Sequence, residues 1–338
     1  MGVRIVSFAL CFLIIRGVRR RLLVKVDRCC NSESSDSLYL VNYVGIGYVL
    51  FLVLFSFGVN VSYTCPKLYG WHECRLPIAV ALFIVANLLI NWMLFLSYVK
   101  LNRPSYHAYI MAHGESTIVD FETGEVTMGK SSQPYLTTQQ DTAFSKFCRT
   151  CEQHVPKRCH HCPVCNYCVL KKDHHCFITG GCVGFGNQRY FIVFLFYAFL
   201  AACYGMLWTY RLMSDLFPAL WPYGWLNYCA PVALGRYFLH GDIPFVAVIG
   251  SALMSALWAG VTGSSGFFCA QIYCVITGTT LWEQVHRLDI QDGLTIRQRF
   301  ETVFGPCWPI NFLFPLPYRN KLFPGIASFL HASYLKDV

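Results

Sequence analysis

Charged side chains are scarce in this sequence of 338 residues. Asp, Glu, Lys and Arg make up 13% of the chain and hydrophobic residues 55%, whereas an ordinary soluble domain carries about 25% charged residues. Charge is absent altogether from four runs, at 40–59, 77–99, 190–210 and 243–282. Each run reaches the ~20 residues that a helix needs to cross a bilayer. Four buried helices of a soluble protein would need caps and polar faces that these runs lack, so the composition predicts an all-α polytopic membrane protein.

The predicted layout has four transmembrane helices and three flanking or connecting cytosolic segments. The helices are expected at 40–61, 77–99, 190–210 and 244–275. The cytosolic segments are expected at 1–39, 100–189 and 276–338. The amino end has an apolar run at 5–15 followed by basic residues, which is the reverse of a secretory signal, so we predict an interfacial segment with a basic flank.

Lys and Arg set the predicted orientation. The connections between the first two helices and between the last two hold only two basic residues each, and the remaining 23 of the 27 lie in the other segments. Positive residues mark the cytosolic side. The formal charge of +9 lies beside the spans and fits anionic lipid headgroups, so no nucleic-acid partner is predicted. The uncharged segment 216–235 contains three prolines and is predicted to be a non-cytosolic loop or re-entrant element.

Cysteine occurs in two settings. Cys65 and Cys74 share a predicted lumenal loop and could form a disulfide there. A second group lies in the central cytosolic segment, where eight cysteines and five histidines fall between Cys148 and Cys182. Repeated Cys-x-x-Cys pairs with interspersed His on the reducing side of a membrane are typical of zinc sites.

The number of donors leaves the role of Cys176 open. Two closed tetrahedral zinc sites use eight of the thirteen donors, and five remain. Cys176 has His174 two residues before it and Asp173 three residues before it. A histidine can take the thiol proton and a carboxylate can orient that histidine. The spacing alone favours a nucleophile, but a ligand role for Cys176 beside a solvated His174 remains open.

The spacing of the cluster resembles that of the cysteine-rich domain of DHHC-type protein S-acyltransferases. The matching pattern is Cys-x2-Cys, His-Cys-x2-Cys-x2-Cys, Asp-His-His-Cys and a final Cys, within a domain at about 146–190. Asn187 and Phe191 fit the Asn-x3-Phe that follows in the family. The position between the second and third of four spans fits as well.

The resemblance implies two structural zinc ions with interleaved ligands. One set would be Cys148, Cys151, His161 and Cys168. The other would be Cys162, Cys165, His175 and Cys182. The resemblance makes Cys176 the acylated nucleophile, His174 the base and Asp173 the orienting acid.

The implied reaction moves a long-chain acyl group, such as palmitoyl, from acyl-CoA to Cys176 and then to a cysteine of a membrane-associated protein. Lys171, Lys172 and Arg189 are candidates for contact with CoA phosphates. The usual location of the family implies a protein of the Golgi or the endoplasmic reticulum with a cytosolic active site.

The chain departs from the family pattern near the nucleophile and after the fourth span. Phe177-Ile178 replaces the usual Pro-Trp, and Gly181 replaces Asn. The usual Thr-Thr-x-Glu is one residue longer here, at 279–283, so either the turn bulges or Leu281 takes the place of the second Thr. In the tail, Arg299 stands where the family has Asn.

Because of these departures, we consider two alternative functions. The first alternative is a catalytically weak or inactive, zinc-stabilised membrane scaffold that binds partner proteins. The second is a RING-like ubiquitin ligase, whose spacing fits poorly and which has no use for Asp173 and His174 beside a spare cysteine.

Overall fold

Four long helices dominate the structure. This computed structural model describes residues 35–103, 117–119, 126–128, 144–156, 158–217, 222–288, 293–305 and 308–314. Within those residues, four helices are long and apolar enough to cross a membrane. The predicted interfacial segment at 5–15 and the end of the tail from 315 lie outside the described residues.

The helices follow the charge-free runs. Their bounds are α1 Ser35–Val59, α2 Cys65–Glu73, α3 Arg75–Ser97, α4 Gln188–Ser214, α5 Ala230–Gly235, α6 Phe245–Thr277, α7 Leu281–Val285, α8 Ile296–Phe304 and α9 Trp308–Leu313. A π-helical turn at Asn60–Thr64 joins α1 to α2, so the first apolar helix continues to Glu73. The all-α polytopic fold is therefore confirmed.

The centre of the bundle is α4, which packs against both α3 and α6. Aromatic side chains from α3 and α4 fill the interface, with Trp92 near Phe194 and Phe95 near Phe191 at ring-centroid distances of 5.9 Å in both pairs. Phe304 of α8 is fully buried in the same cluster. This packing holds together the ends of the long helices that lie next to the cysteine-rich domain.

The segment between α3 and α4, which includes the cysteine-rich domain, contains small antiparallel hairpins. The strands are β1 Thr117–Val119, β2 Val126–Met128, β3 Phe144–Cys148, β4 Gln153–Pro156, β5 Cys159–Cys162, β6 Tyr167–Leu170, β7 His174–Cys176 and β8 Gly181–Val183. They pair as β1–β2, β3–β4, β5–β6 and β7–β8. Two-stranded hairpins are marginally stable alone, so the domain depends on other contacts for its shape.

Two connections lie at the end of the bundle away from the cysteine-rich domain: one between α1 and α3, and one between α4 and α6. Cys65 and Cys74 form a disulfide with an S–S distance of 2.02 Å. The described part of 216–235 contains a 3-10 turn at Gly224–Tyr228 and the short α5. It contains no helix long enough to span a membrane. In its described part, this apolar segment is therefore divided into short turns and helices, as the prolines predicted.

The chain turns back towards the site directly after α6. Gly278 ends α6 with a φ of 72°, in the left-handed region that glycine adopts without steric cost. Thr280 then caps α7: its hydroxyl accepts from the Glu283 amide, and the Glu283 carboxylate accepts from the Thr280 amide. This turn places the start of α7 against the β7–β8 hairpin.

Candidate active site

Two groups of four donors lie in the cysteine-rich domain. They are the groups named by the ligand prediction: Cys148, Cys151, His161 and Cys168 in the first, and Cys162, Cys165, His175 and Cys182 in the second. Within each group all ligand atoms lie within 4.8 Å of one another.

The spacing of the donors fits a tetrahedral zinc ion. Zn–S bonds of about 2.3 Å place two sulfur ligands about 3.8 Å apart. Cys151 Sγ lies 3.7 Å from Cys168 Sγ, and Cys165 Sγ lies 3.6 Å from Cys182 Sγ. His175 Nδ1 lies 3.3 to 3.7 Å from the three sulfurs of its group. The Cys/His clusters are therefore compatible with two zinc sites, each closed by four protein ligands.

Strand geometry explains why the two ligand sets interleave. Successive side chains of a strand point to opposite faces. In β5, His161 therefore faces the first group while its neighbour Cys162 faces the second. The hairpins supply the partners, because His161 is opposite Cys168 and His175 is opposite Cys182.

The same alternation separates Cys176 from the second cluster. In β7, His175 directs Nδ1 at the sulfurs, so His174 and Cys176 belong to the other face of the strand. Cys176 packs against the hydrophobic core formed by the spans. Cys176 is therefore outside both donor groups, on the side that faces the helices.

His174 is held by the Asp173 carboxylate, and it lies on the same face of β7 as Cys176. Its Nδ1 lies 2.7 Å from Asp173 Oδ2. Burial opposes the charged imidazole, but the hydrogen bond to the Asp173 carboxylate and the nearby Cys176 thiol raise the pKa of His174 to about 10. Burial likewise opposes the thiolate, yet the nearby His174 side chain, with help from Thr179, lowers the pKa of Cys176 below its ordinary value. The arrangement favours a thiolate beside an imidazolium.

Asp173 is held by two further donors, one from α6 and one from the start of α7. Gln271 Nε2 of α6 donates to Oδ2 at 2.7 Å, and the Leu281 amide donates to Oδ1 at 2.7 Å. Leu281 contacts Asp173 through its backbone. Because Thr280 and Glu283 form the capping box, they hold the places of the first Thr and the Glu of the motif, and Leu281 stands in the place of the second Thr.

The last residue of the lengthened motif joins α7 to the cysteine-rich domain. Glu283 forms a buried ion pair with Arg158, which precedes β5, with N–O distances of 2.6 Å to both carboxylate oxygens. Arg158 also donates to the Gly278 carbonyl at 2.9 Å. The turn after α6 is therefore fixed to the domain that carries Cys176.

An apolar cavity runs between the long helices and reaches Ile178, two residues after Cys176. Its volume is about 370 Å³, and all four long helices line it. Ile178 and Phe267 bound it at the Cys176 end, where the Phe267 ring lies 6.0 Å from the His174 ring. On α4 the lining extends from Phe194 to Trp208, a length of about 21 Å at a rise of ~1.5 Å per residue.

The three basic candidates for CoA contact lie at the domain–membrane junction. Lys171 and Arg189 are buried, and Arg189 stacks on Tyr190 and donates to its hydroxyl. Lys172 is half-buried and donates to the His161 carbonyl at 2.9 Å. Contact of these side chains with CoA phosphates stays a prediction.

Three contacts of the site were not predicted from the sequence. Asn42 of α1 accepts a hydrogen bond from Nε2 of His175 at 3.0 Å. Gln271 and the Leu281 amide hold Asp173, as described above. Asn42 and Gln271 are polar side chains within apolar helices, and that isolation is the signal that could have singled them out.

Comparison with known proteins agrees with this geometry. Residues 141–287 match the family model described as DHHC palmitoyltransferase. Palmitoyltransferase ZDHHC22 of Rattus norvegicus is 32% identical over 299 residues, covering 83% of this chain and 94% of the relative. The chain belongs to the DHHC palmitoyltransferase family. Palmitoyltransferase ZDHHC22 of Homo sapiens is 31% identical with the same coverage, and Palmitoyltransferase PFA3 of Saccharomyces cerevisiae is 35% identical over 63% of this chain and 64% of the relative.

Two residues of the DHHC palmitoyltransferase pattern lie outside the two donor groups, and they support the site from the start of α4. Asn187 is fully buried, accepts from the Gly184 amide at 2.9 Å and donates to the Cys182 carbonyl at 3.0 Å. Phe191 lies one helical turn later, with its ring 5.3 Å from the His174 ring in an edge arrangement. Together they fix the last donor of the second cluster and one wall around the imidazole.

Proposed function

We propose that this protein is a protein S-acyltransferase in which Cys176 carries the acyl group, His174 is the general base and Asp173 orients His174. The observation that carries the proposal is the position of Cys176 on the strand face opposite the second donor cluster, with His174 and Asp173 in contact. An idle cysteine in a scaffold would not require a buried carboxylate with three donors around it.

In the first step, Cys176 gives its proton to Nε2 of His174, and the thiolate attacks the thioester carbonyl of acyl-CoA. The tetrahedral intermediate collapses, the bond to the CoA sulfur breaks, and the departing thiolate takes the proton back from the imidazolium. In the second step, the thiol of a protein substrate gives its proton to His174 and attacks the acyl-Cys176 thioester. Cys176 leaves as the thiolate and is reprotonated by His174.

Asp173 serves both steps by keeping Nδ1 of His174 protonated, which leaves Nε2 for the sulfur. When zinc is bound, it fixes the hairpin fold and does no acyl transfer, since four protein ligands would fill each site. The structural role of zinc agrees with the small number of apolar side chains in the hairpins.

We assign the acyl chain to the cavity between the spans. Each buried methylene contributes ~0.8 kcal/mol, and the apolar lining along α4 is long enough for a long-chain acyl group such as palmitoyl. The CoA portion would then lie on the cytosolic side, where Lys171, Lys172 and Arg189 are the proposed phosphate contacts. A substrate cysteine must come to the same boundary, so membrane-associated proteins are the proposed substrates, in the Golgi or the endoplasmic reticulum.

The proposal is tested by the intact mass of the purified, zinc-loaded protein after exposure to palmitoyl-CoA. We expect a gain of one palmitoyl group that hydroxylamine removes, no gain in Cys176→Ser, and a large loss of rate in His174→Ala. Zinc content is the control for folding. Absence of acylation at Cys176 in zinc-loaded wild-type protein would leave the scaffold alternative as the function.

A further inference from the structure

A buried chain of amide side chains leads from the start of α4 to the catalytic carboxylate. Gln188 Nε2 donates to Gln271 Oε1 at 3.2 Å, and Gln271 Nε2 donates to Asp173 Oδ2 at 2.7 Å. Gln271 is fully buried and Gln188 is 4% exposed. Burying an amide group without a hydrogen-bond partner costs free energy. The hydrogen bonds along this chain supply such partners to both side chains.

The direction of the Gln271 amide follows from its two neighbours. Asp173 Oδ2 can only accept, so the atom facing it must be Nε2. Nε2 of Gln188 donates, so the atom of Gln271 that faces it must be the acceptor Oε1. Gln188 therefore fixes Gln271 in the one orientation that offers a donor to the carboxylate.

Asp173 Oδ2 is shared by Gln271 and His174. A charged acceptor makes a stronger hydrogen bond than a neutral one, and two N–H donors on one oxygen define where that oxygen lies. Its partner oxygen, Oδ1, accepts from the Leu281 amide at 2.7 Å. Each oxygen is therefore held by a group that lies outside the β7–β8 hairpin.

We propose that Gln271 is a positioning residue of the acyl transfer: with Gln188 behind it, it holds Asp173 so that Nδ1 of His174 is bound and Nε2 faces Cys176. This inference rests on the proposed function, since it assigns to Gln271 an effect that passes through Asp173 and His174. It also makes α6 part of the support of a site whose reacting groups all lie in the cysteine-rich domain.

Gln271→Leu in the full-length, zinc-loaded protein is the first test. It removes both polar groups and keeps the approximate size. We expect the rate constant of Cys176 acylation by palmitoyl-CoA to fall about tenfold, which is the effect of one hydrogen bond to a charged group. The palmitoyl-CoA concentration at half-maximal rate should change less than about twofold, because Gln271 contacts Asp173 and does not line the cavity.

Two further variants separate positioning from folding. Ser251→Ala removes a fully buried hydroxyl from the other end of α6, where Ser251 bonds to the carbonyls of Asn227 and Ala247, and should leave the acylation rate unchanged. Gln188→Leu leaves the donor of Gln271 in place and should lower the rate less than Gln271→Leu. If Gln271→Leu loses zinc, Gln271→Met, which is unbranched like glutamine, replaces it in the series.

The deciding measurement is the rate at which iodoacetamide alkylates Cys176, read from the Cys176 peptide by mass. This rate reports on the thiol without acyl-CoA. Gln271→Leu should lower it in the wild-type background and change it less than about twofold in Asp173→Ala, because Gln271 acts through Asp173. An unchanged rate in zinc-loaded Gln271→Leu, or an equal further loss in Asp173→Ala, overturns the inference. Absence of acylation in the wild type would overturn the proposed function instead.

Discussion

At the residue scale, Arg158 and Glu283 form a buried ion pair whose loss would be costly. The side chains are 3% and 1% exposed, and Glu283 also caps α7 through the Thr280 amide. Removal of one partner of a buried ion pair leaves an uncompensated charge and costs about 3 to 5 kcal/mol. The pair therefore holds the turn after α6 against the strand that supplies His161 and Cys162.

Glu283→Gln keeps the shape of the side chain and removes its charge. We expect the free energy of unfolding of the zinc-loaded protein to fall by about 3 kcal/mol, measured by denaturant titration in micelles. Glu301→Gln is the matched control, because Glu301 pairs with the exposed Arg297 on α8 and its loss should leave stability nearly unchanged. Equal stability of Glu283→Gln and wild type would contradict the structural role of the pair.

The residues around Cys176 also show which contacts of the site can be predicted from the sequence and which cannot. The family resemblance carried by the order of Cys and His predicted both donor groups, and the structure brings the same residues together because short hairpins fix the spacing of the donors. Gln271 and the Leu281 amide lie 98 and 108 positions from Asp173. Their contact depends on how α6 packs and where Gly278 turns the chain. The extra residue between 279 and 283 left two registers open, and only the cap on Thr280 decides between them.

At the element scale, α1 is docked on the hairpin that carries Cys176. Asn42 bonds to His175, as described above. Gly45 lies so close to the hairpin that a Cβ there would be 2.4 Å from the Phe177 carbonyl oxygen. On the hairpin side, a Cβ at Gly180 would be 2.4 Å from Ile46 Cδ1. The charge-free run predicted a helix here, but nothing in its pattern indicated which face of the helix meets the β7–β8 hairpin.

Gly45→Ala should therefore separate α1 from the β7–β8 hairpin. The added methyl group meets backbone, which cannot rotate away, so the Asn42–His175 hydrogen bond should be lost. Loss of the hydrogen-bond partner of a metal-ligating histidine typically lowers metal affinity about 10- to 100-fold. We expect faster release of one of two zinc ions to a chromogenic chelator.

Gly47→Ala is the control for this change, two residues along the same helix. A Cβ at Gly47 has nothing within 4 Å, and alanine has a higher helix propensity than glycine, so zinc release should match the wild type. Identical release from both alanine variants would show that docking of α1 does not support the second donor cluster.

At the scale of the whole molecule, the chemistry of cysteine differs between the two ends of the bundle. Cys65 and Cys74 are joined as a disulfide in the connection between α1 and α3. The eight cysteines between Cys148 and Cys182 are all free. Disulfides persist in oxidising compartments, whereas thiolate donors for zinc need a reducing one. This difference supports the same orientation as the distribution of Lys and Arg, with the cysteine-rich domain in the cytosol.

This orientation predicts which side chains a membrane-impermeant maleimide reaches in sealed microsomes. Cys229 is an exposed cysteine in the connection between α4 and α6, at the same end of the bundle as the disulfide. It should react only after the membrane is permeabilised.

Arg297→Cys in a Cys229→Ser background places a thiol at the exposed start of α8 and should react in intact vesicles. Protection of Cys229 depends on the membrane alone, because its side chain is open to solvent. Reaction of Cys229 in intact vesicles, with protection of the α8 thiol, would invert the orientation and move the acyl-CoA reaction out of the cytosol.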